Sequence, residues 1–212
     1  MSEYERWETR YRVPEYVFGE EPNYFLASCK NLLPNSGTAL AIADGEARNG
    51  VWLAEQGLDV LSIDFSPSAQ SKGRALAQKR RVSLRFELAD VHTWAYPERA
   101  FDVVCDIFTQ FSSPAERTRK WAGVRRTLKP GGLLILQGYT PKQLHYGTGG
   151  PKELENLYTR ELLEETFGDF TDFRITEEER ELQEGTSHGG MSALIGLTAK
   201  KPNRDEHPSQ LR

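Results

Sequence analysis

Three acidic residues stand at intervals that fit a nucleotide-like ligand: Asp44, Asp64 and Asp90. Asp44 ends an apolar run and precedes Gly45, whose missing side chain lets the backbone come close to a ligand. Asp64 stands 19 residues after Gly45, a spacing at which a carboxylate accepts hydrogen bonds from both hydroxyls of a ribose. Asp90 can accept from the exocyclic amine of a base, with Val91 against the ring. Together these residues indicate a site for a nucleotide-like cofactor.

Each acid also has a purely structural alternative. Asp64 can cap the helix that follows it, although Ser66 already fits that position. Asp90 can be a solvated turn residue. Asp102 opens an apolar strand and is expected on the opposite rim of the sheet, so we interpret it as structural.

Strand and helix patterns alternate along the chain and would position these acids. Ser66-Pro67 and Ser113-Pro114 each read as a helix cap followed by proline at the first helical position. The last two strands are joined without a helix, so they pair antiparallel or are not neighbours. The predicted strands are 39–43, 60–64, 82–88, 101–107, 133–137, 173–182 and 192–200, and the predicted helices are 46–56, 66–79, 113–128 and 159–167.

This order predicts an α/β fold with a doubly wound, mostly parallel seven-stranded sheet of Rossmann-like type, ending in an antiparallel hairpin. In such sheets the ligand binds outside the carboxyl ends of the strands. The residues that follow the first four strands therefore form the predicted site.

Composition excludes several classes of protein. The chain has 212 residues, 38% hydrophobic and 27% charged, with a net charge of -4, which is typical of a globular domain and argues against a broad nucleic-acid surface. No apolar run approaches the roughly 20 residues that span a membrane, and the first residues lack the apolar core of a signal peptide. Cys29 and Cys105 show no metal-ligand spacing, so no metal site is predicted. We expect a cytoplasmic protein without nucleic-acid or membrane partners, as a monomer or homodimer.

Five segments resemble, in order and spacing, motifs of class I S-adenosylmethionine-dependent methyltransferases: ALAIADGEARNGVWLAEQG, LSIDFS, ELADV, FDVVCDIF and TLKPGGLLIL. The resemblance covers about 32–202. More narrowly, WETRY and EYVFGEEPNYFL before a GEARN turn resemble the small bacterial methyltransferases of the tellurite-resistance type, which are similar to thiol and thiopurine methyltransferases. The resemblance implies the methyltransferase domain at 32–201. The aromatic residues before it predict a lid or helical segment at 1–31, and the polar composition after it, with two prolines, predicts a disordered tail at 202–212.

The resemblance also implies S-adenosylmethionine as the cofactor and a role for each matching residue. LKPGG would be a structural turn rather than part of the site. The residues implied to contact the cofactor are Ala43, Asp44 and Gly45 at the methionine moiety, Asp64 at the ribose, Phe65 and Ser66 at the adenosine edge, Asp90 and Val91 at the adenine, and Asp106 and Phe108 near the amino acid part or the sulfonium.

Two alanines depart from the family pattern. Related proteins usually carry glycine at the positions of Ala43 and Ala47, and often an acid at that of Ala41. Alanine is the smallest replacement, so close approach is tightened rather than blocked if φ is negative. Asp44 can then serve as the partner of the cofactor's ammonium group.

A methyl sulfonium is already activated, so the protein mainly has to align an acceptor and exclude water. The aromatic segment 7–25 either lies across the strand ends as a lid or packs as a helix against the sheet. Arg10 either holds an acidic group or is solvated. We assign no catalytic residue firmly; the weak candidates are His145, Tyr146, His188 and Tyr11, and either histidine is a general base near neutral pH or a surface residue.

The predicted function is methyl transfer by in-line displacement to a small-molecule acceptor: a thiol, a chalcogen oxyanion or a heterocycle. A non-catalytic S-adenosylmethionine-binding protein is an alternative of a different class. An NAD-dependent oxidoreductase shares the strand–turn–helix and the following acid, but Gly45-x-Ala47-x-x-Gly50 matches the dinucleotide fingerprint poorly.

Overall fold

The computed structural model describes residues 2–186 and 188–203. Two short 3-10 turns, Lys30–Leu32 and Leu154–Asn156, accompany the regular elements. The strands are β1 Thr38–Ile42, β2 Asp59–Asp64, β3 Arg85–Leu88, β4 Phe101–Ile107, β5 Leu128–Tyr139, β6 Thr171–Glu184 and β7 His188–Lys200. The helices are α1 Glu3–Tyr11, α2 Tyr24–Ser28, α3 Arg48–Glu55, α4 Pro67–Arg80, α5 Pro114–Thr127, α6 Gln143–Tyr146 and α7 Arg160–Phe167.

The seven strands form one sheet in the order β3-β2-β1-β4-β5-β7-β6. The first five strands are parallel, while β7 pairs antiparallel with both β5 and β6. This confirms the predicted fold class. The strand order reverses at β1, so the carboxyl ends of β1 and β4 flank the crevice where ligands of doubly wound sheets bind.

Both faces of the central strands are covered, which explains why they read as unbroken apolar runs. Leu40 and Ile42 of β1 join one buried cluster with Trp121 and Phe167 of the helices on that face. Ala39 points to the other face, into a separate cluster packed by α2 and α3. The alternation follows from the two-residue period of a strand.

The helix before LKPGG ends at Thr127, but the prediction that LKPGG is a separate turn was wrong. These residues lie inside β5, where the pairing with β4 is irregular between Phe101 and Val103. The backbone of Lys201 accounts for this, because Gly131 N donates to Lys201 O at 2.8 Å and Lys201 N donates to Gly132 O at 2.9 Å. The chain after β7 thus extends the ladder across the irregular segment.

The C-terminal segment was expected to be disordered, and its residues 204–212 lie outside the described residues. Lys201 is ordered, since its Nζ donates to the carbonyls of Arg125 and Leu128. Among the described residues, no helix is both long and apolar enough to cross a membrane.

Candidate active site

The carboxyl ends of β1, β2 and β4 bring most of the predicted site residues to one cavity. This central cavity also receives aromatic side chains from α1 and from the loop after β4. Its lining residues are Trp7, Tyr11, Phe18, Ala43, Asp44, Gly45, Arg48, Asn49, Asp64, Phe65, Ile107, Phe108, Phe111 and His188.

The turn between β1 and α3 is strained at its two alanines. The φ angles of Ala43, Gly45 and Ala47 are 46°, 57° and 62°, all in the left-handed region. The condition of a negative φ, under which alanine would only tighten the close approach, is therefore not met, and each left-handed alanine costs about 1–2 kcal/mol relative to an ordinary conformation. Backbone strain of this kind is common at ligand sites, where the surrounding structure holds the backbone in place.

Asp64 ties the end of β2 to this turn. Its Oδ2 accepts from Gly45 N at 2.9 Å and its Oδ1 accepts from Ser66 N at 2.8 Å. The cap of α4 is Ser66, whose Oγ accepts from Ala69 N at 3.1 Å, so the structure rejects the capping alternative for Asp64. Burial raises the pKa of Asp64 to about 6, although the backbone donors oppose that shift.

Asp44 lines the same cavity, and hydrogen bonds from neighbouring protein groups hold its carboxylate in place. Its Oδ2 accepts from Ser62 Oγ at 2.8 Å and from Gly50 N at 3.1 Å. A Cβ at position 50 would lie 2.4 Å from this oxygen, so Gly50 is required for the carboxylate to sit there. Burial raises the pKa of Asp44 to about 7, and the Ser62 hydrogen bond limits the rise.

These two raised pKa values predict that S-adenosylhomocysteine binds more weakly as the pH falls from about 8.5 to about 5.5, by about tenfold. In the roles that the resemblance implies, protonated Asp44 would no longer attract the ligand's ammonium, and protonated Asp64 would accept hydroxyl hydrogen bonds poorly. The same groups bind protons more tightly in the folded chain, so their contribution to the free energy of unfolding falls as the pH rises from about 4 to about 7. Titration calorimetry across this range checks the affinity, and Asp44→Asn should flatten the dependence. A constant dissociation constant in the unsubstituted protein would contradict it.

Beside the central cavity lies a second one of about 190 Å³, where the adenine was predicted. Phe65, Val91 and the Asp90 carboxylate line it. Asp90 Oδ1 accepts from His92 N at 2.9 Å, so the carboxylate forms part of the turn and also faces the cavity. Apolar side chains together with the Asp90 acceptor suit a purine with an exocyclic amine.

A third cavity, of about 500 Å³, also adjoins the central one. Helix α1 lies over both and is fastened at Glu8, which accepts from Ser66 Oγ at 2.6 Å and Ser68 Oγ at 2.5 Å. The ring of Tyr11 is buried against Gly45. The aromatic segment therefore both covers the strand ends and packs against them. The rings that line the third cavity are Trp7, Phe18, Phe108, Phe111, Tyr139 and His188.

The placement of Asp106 corrects a prediction. Its carboxylate accepts from Trp121 Nε1 at 2.9 Å and from Thr109 Oγ1, and Lys120 Nζ lies 3.6 Å away. Asp106 and Lys120 are fully buried, and the Asp106 carboxylate is turned into the core beneath the site. Phe108, two residues later, does line the central cavity, with a φ of 56°.

The four catalytic candidates separate into two pairs. Tyr11 and His188 line the central cavity. His145 is exposed on the short helix α6, and the Tyr146 hydroxyl donates to Glu179 on the sheet edge. Neither lies among the residues lining the three cavities, because α6 folds against β7 rather than over the strand ends.

Sequence reasoning missed four residues of the site: Glu8, Arg48, Phe111 and Glu184. Arg48 is buried in the first turn of α3, where its Nη2 contacts Glu184 Oε2 at 2.6 Å. For Arg48, the available signal in the sequence was that it is a charged residue directly after the ligand turn. Glu184 and Phe111 carried no signal, since each enters the site only through tertiary contacts.

Comparison with known proteins agrees with this geometry. Residues 39–132 match a family model described as Methyltransferase domain. The chain is 30% identical over 117 residues to a demethylmenaquinone methyltransferase of Deinococcus radiodurans, covering 54% of this chain and 48% of that relative. The chain thus spans about half the length of the curated relatives it matches.

Two solved structures share the fold. One, from work on conversion of a disulfide bond into a thioacetal group during echinomycin biosynthesis, has a TM-score of 0.76 at 16% identity and covers 97% of this chain and 94% of that one. An S-adenosylmethionine-dependent methyltransferase of Methanosarcina mazei has a TM-score of 0.65 at 22% identity and covers 86% and 100%.

The match over residues 39–132, the sheet order and the ligand turn are those of a class I methyltransferase domain. Its cofactor is S-adenosylmethionine, as the resemblance implied. The narrower likeness to the tellurite-resistance and thiopurine type stays a prediction.

Proposed function

We propose that the chain transfers a methyl group from S-adenosylmethionine to a small planar acceptor bound in the third cavity, which we call the acceptor cavity. One observation carries this proposal: the central and acceptor cavities share five lining residues. A ligand in each would meet across the same wall, as in-line transfer requires. The shared residues are Trp7, Phe18, Phe108, Phe111 and His188.

The residues present fit the cofactor. Asp64 would hold the ribose, Asp44 the ammonium, and the second cavity, at Asp90 and Val91, the adenine. The bound cofactor supplies an electrophilic methyl group on a sulfonium. The faces of the shared rings attract a cation and exclude water from it.

The lining of the acceptor cavity supports a ring-shaped acceptor. Aromatic walls stack on flat rings and bury them efficiently. Of the predicted acceptors, a heterocycle fits the aromatic walls better than a thiol without a ring, while Arg6, Arg10 and Lys152 in the same lining also suit an acceptor that carries a negative charge. The relatives are demethylmenaquinone methyltransferases by name, which adds a quinol-type ring to the candidates.

A turnover screen with labelled methyl donor tests the proposal. The acceptors tested should include a naphthoquinol, a hydroxylated heterocycle, an aromatic thiol and tellurite. Binding of S-adenosylhomocysteine should be measured in parallel. We expect binding of the product and labelling of a ring acceptor. Binding without transfer to any acceptor would instead support the non-catalytic alternative, and stabilisation by NAD alone would contradict the cofactor.

A further inference from the structure

His188 is placed at the wall between the central and acceptor cavities. Its ring lies between those of Phe18 and Phe108, with centroids 4.5 and 4.6 Å away. Its side chain is 12% exposed. Such a position brings the imidazole next to any molecule held against these aromatic walls.

One edge of this imidazole faces a carboxylate. His188 Nδ1 is buried without a hydrogen-bond partner, and Glu184 Oε2 lies 3.6 Å from it. This separation is longer than a hydrogen bond. Contacts of this kind in ligand-free enzymes often tighten once a substrate is bound. Among the residues that the structure describes, Nε2 of His188 has no hydrogen bond.

Glu184 is itself held firmly. It receives Arg48 Nη2 at 2.6 Å, Tyr24 N at 3.2 Å and Asn23 Nδ2 at 3.4 Å. Burial alone would raise the pKa of this carboxyl, but His188 and Arg48 together lower it to about 2. Glu184 therefore stays ionised throughout the physiological range and presents a fixed negative charge to His188.

We propose that His188 is the general base for the acceptor and that Glu184 positions it, which makes the acceptor an aromatic hydroxyl compound. A Nδ1–H directed at Glu184 leaves the lone pair of Nε2 free to take a proton. This inference rests on the proposed function and names its acceptor class.

The need for a base separates hydroxyls from thiols. A phenol has a pKa near 10, so at neutral pH its proton must be removed as it reacts, whereas a thiol with a pKa of about 8.5 ionises more readily. In the proposed step the O–CH3 bond forms while the S–CH3 bond breaks. The pair of electrons from the broken bond stays on sulfur as a neutral thioether, and the hydroxyl proton passes to His188.

The charges around His188 keep it ready to accept that proton. Burial lowers the pKa of His188, and Glu184 opposes this, while Arg48 and Arg10 lower it further. The imidazole is therefore neutral at pH 7. Once protonated, it lies beside the Glu184 carboxylate, which stabilises the imidazolium.

His188→Gln should reduce kcat for a phenolic acceptor by about 100-fold or more and weaken the binding of S-adenosylhomocysteine far less, by about fivefold at most. Its kcat for an aromatic thiol should fall by less than about fivefold. His145→Gln is the matched control, because that histidine lies outside the cavities, and it should change none of these values. Equal losses with the phenol and the thiol would overturn the role as base.

The positioning role has a readout independent of turnover. Proton NMR titration of the ligand-free protein, with the His188 signal assigned by its loss in His188→Gln, should show its pKa lowered by about one unit in Glu184→Gln. The acid limb of the kcat–pH profile should move by the same amount. If Glu184→Gln does not fold, Glu184→Asp, which retracts the carboxylate, should give a smaller shift of the same sign. An unchanged His188 pKa in the variant that folds would overturn the positioning role.

Failure of the proposed function would instead appear as absent S-adenosylhomocysteine binding in the unsubstituted protein.

Discussion

Asp64→Ala should weaken the binding of S-adenosylhomocysteine by about 100-fold or more. The substitution removes the predicted acceptor of two ribose hydroxyls, and hydrogen bonds to a charged group contribute about 1.5–3 kcal/mol each. It also frees Gly45 N and Ser66 N, which the carboxylate holds at 2.9 and 2.8 Å. The turn would then lose part of the support that keeps its backbone in a left-handed conformation.

Titration calorimetry measures this effect directly, and the same strand provides the control. Asp59 begins β2 at the opposite rim and makes an exposed ion pair with Arg85 at 3.4 Å. Asp59→Ala should leave the affinity unchanged, because an exposed pair contributes at most about 1 kcal/mol to stability and lies far from the turn. Similar losses in the two variants would mean that Asp64 acts on stability rather than on the ligand.

Lys120→Met should lower the free energy of unfolding by about 3–5 kcal/mol. Lys120 and Asp106 are both fully buried with 3.6 Å between Nζ and Oδ1, and removing the amine leaves a buried carboxylate without its counter-ion. Lys120 Nζ also donates to Thr109 O at 3.2 Å. That bond fixes the start of the loop carrying Phe111 to the cavities, so the variant that folds should also bind its ligands more weakly.

Urea unfolding with linear extrapolation gives the free energy. Lys79→Met is the matched control, since Lys79 pairs with Glu20 at the exposed end of α4 and should cost less than about 1 kcal/mol. Asp106→Asn combined with Lys120→Met removes both charges and should recover much of the loss. A Lys120→Met protein as stable as the control would show that the buried pair contributes little.

Much of the fold was predictable from local signals. The cap and proline pairs at Ser66 and Ser113 predicted the starts of α4 and α5 correctly, and the apolar run of β4 was predicted with its bounds intact. LKPGG misled because glycine and proline usually end an element. Here a long-range pairing with Lys201, which no local pattern reveals, keeps the segment in the sheet.

The candidate site also has one part that local signals predict and another that depends on long-range contacts. Asp44, Gly45, Asp64 and Asp90 follow strand ends, so their meeting at one rim follows from the parallel sheet that the order of elements predicts. Asp106 obeys the same rule in sequence, yet its side chain points into the core. A side chain at a strand end can point to either face of the sheet. Trp121 and Lys120, the groups that hold Asp106, come from helix α5.

The sequence by itself determined the class of fold and the rim at which the predicted cofactor residues meet, because both depend on short-range periodicity and on spacing along the chain. Only the tertiary structure decided that Ala43 and Ala47 are left-handed, and that Arg48, Glu184 and His188 come together. Arg48 and Glu184 are 136 residues apart, and a contact over that distance depends on how the whole sheet is assembled. The turn at Asp44 and Gly45 was thus predictable from the sequence, whereas the position of His188, the proposed base, depends on the fold.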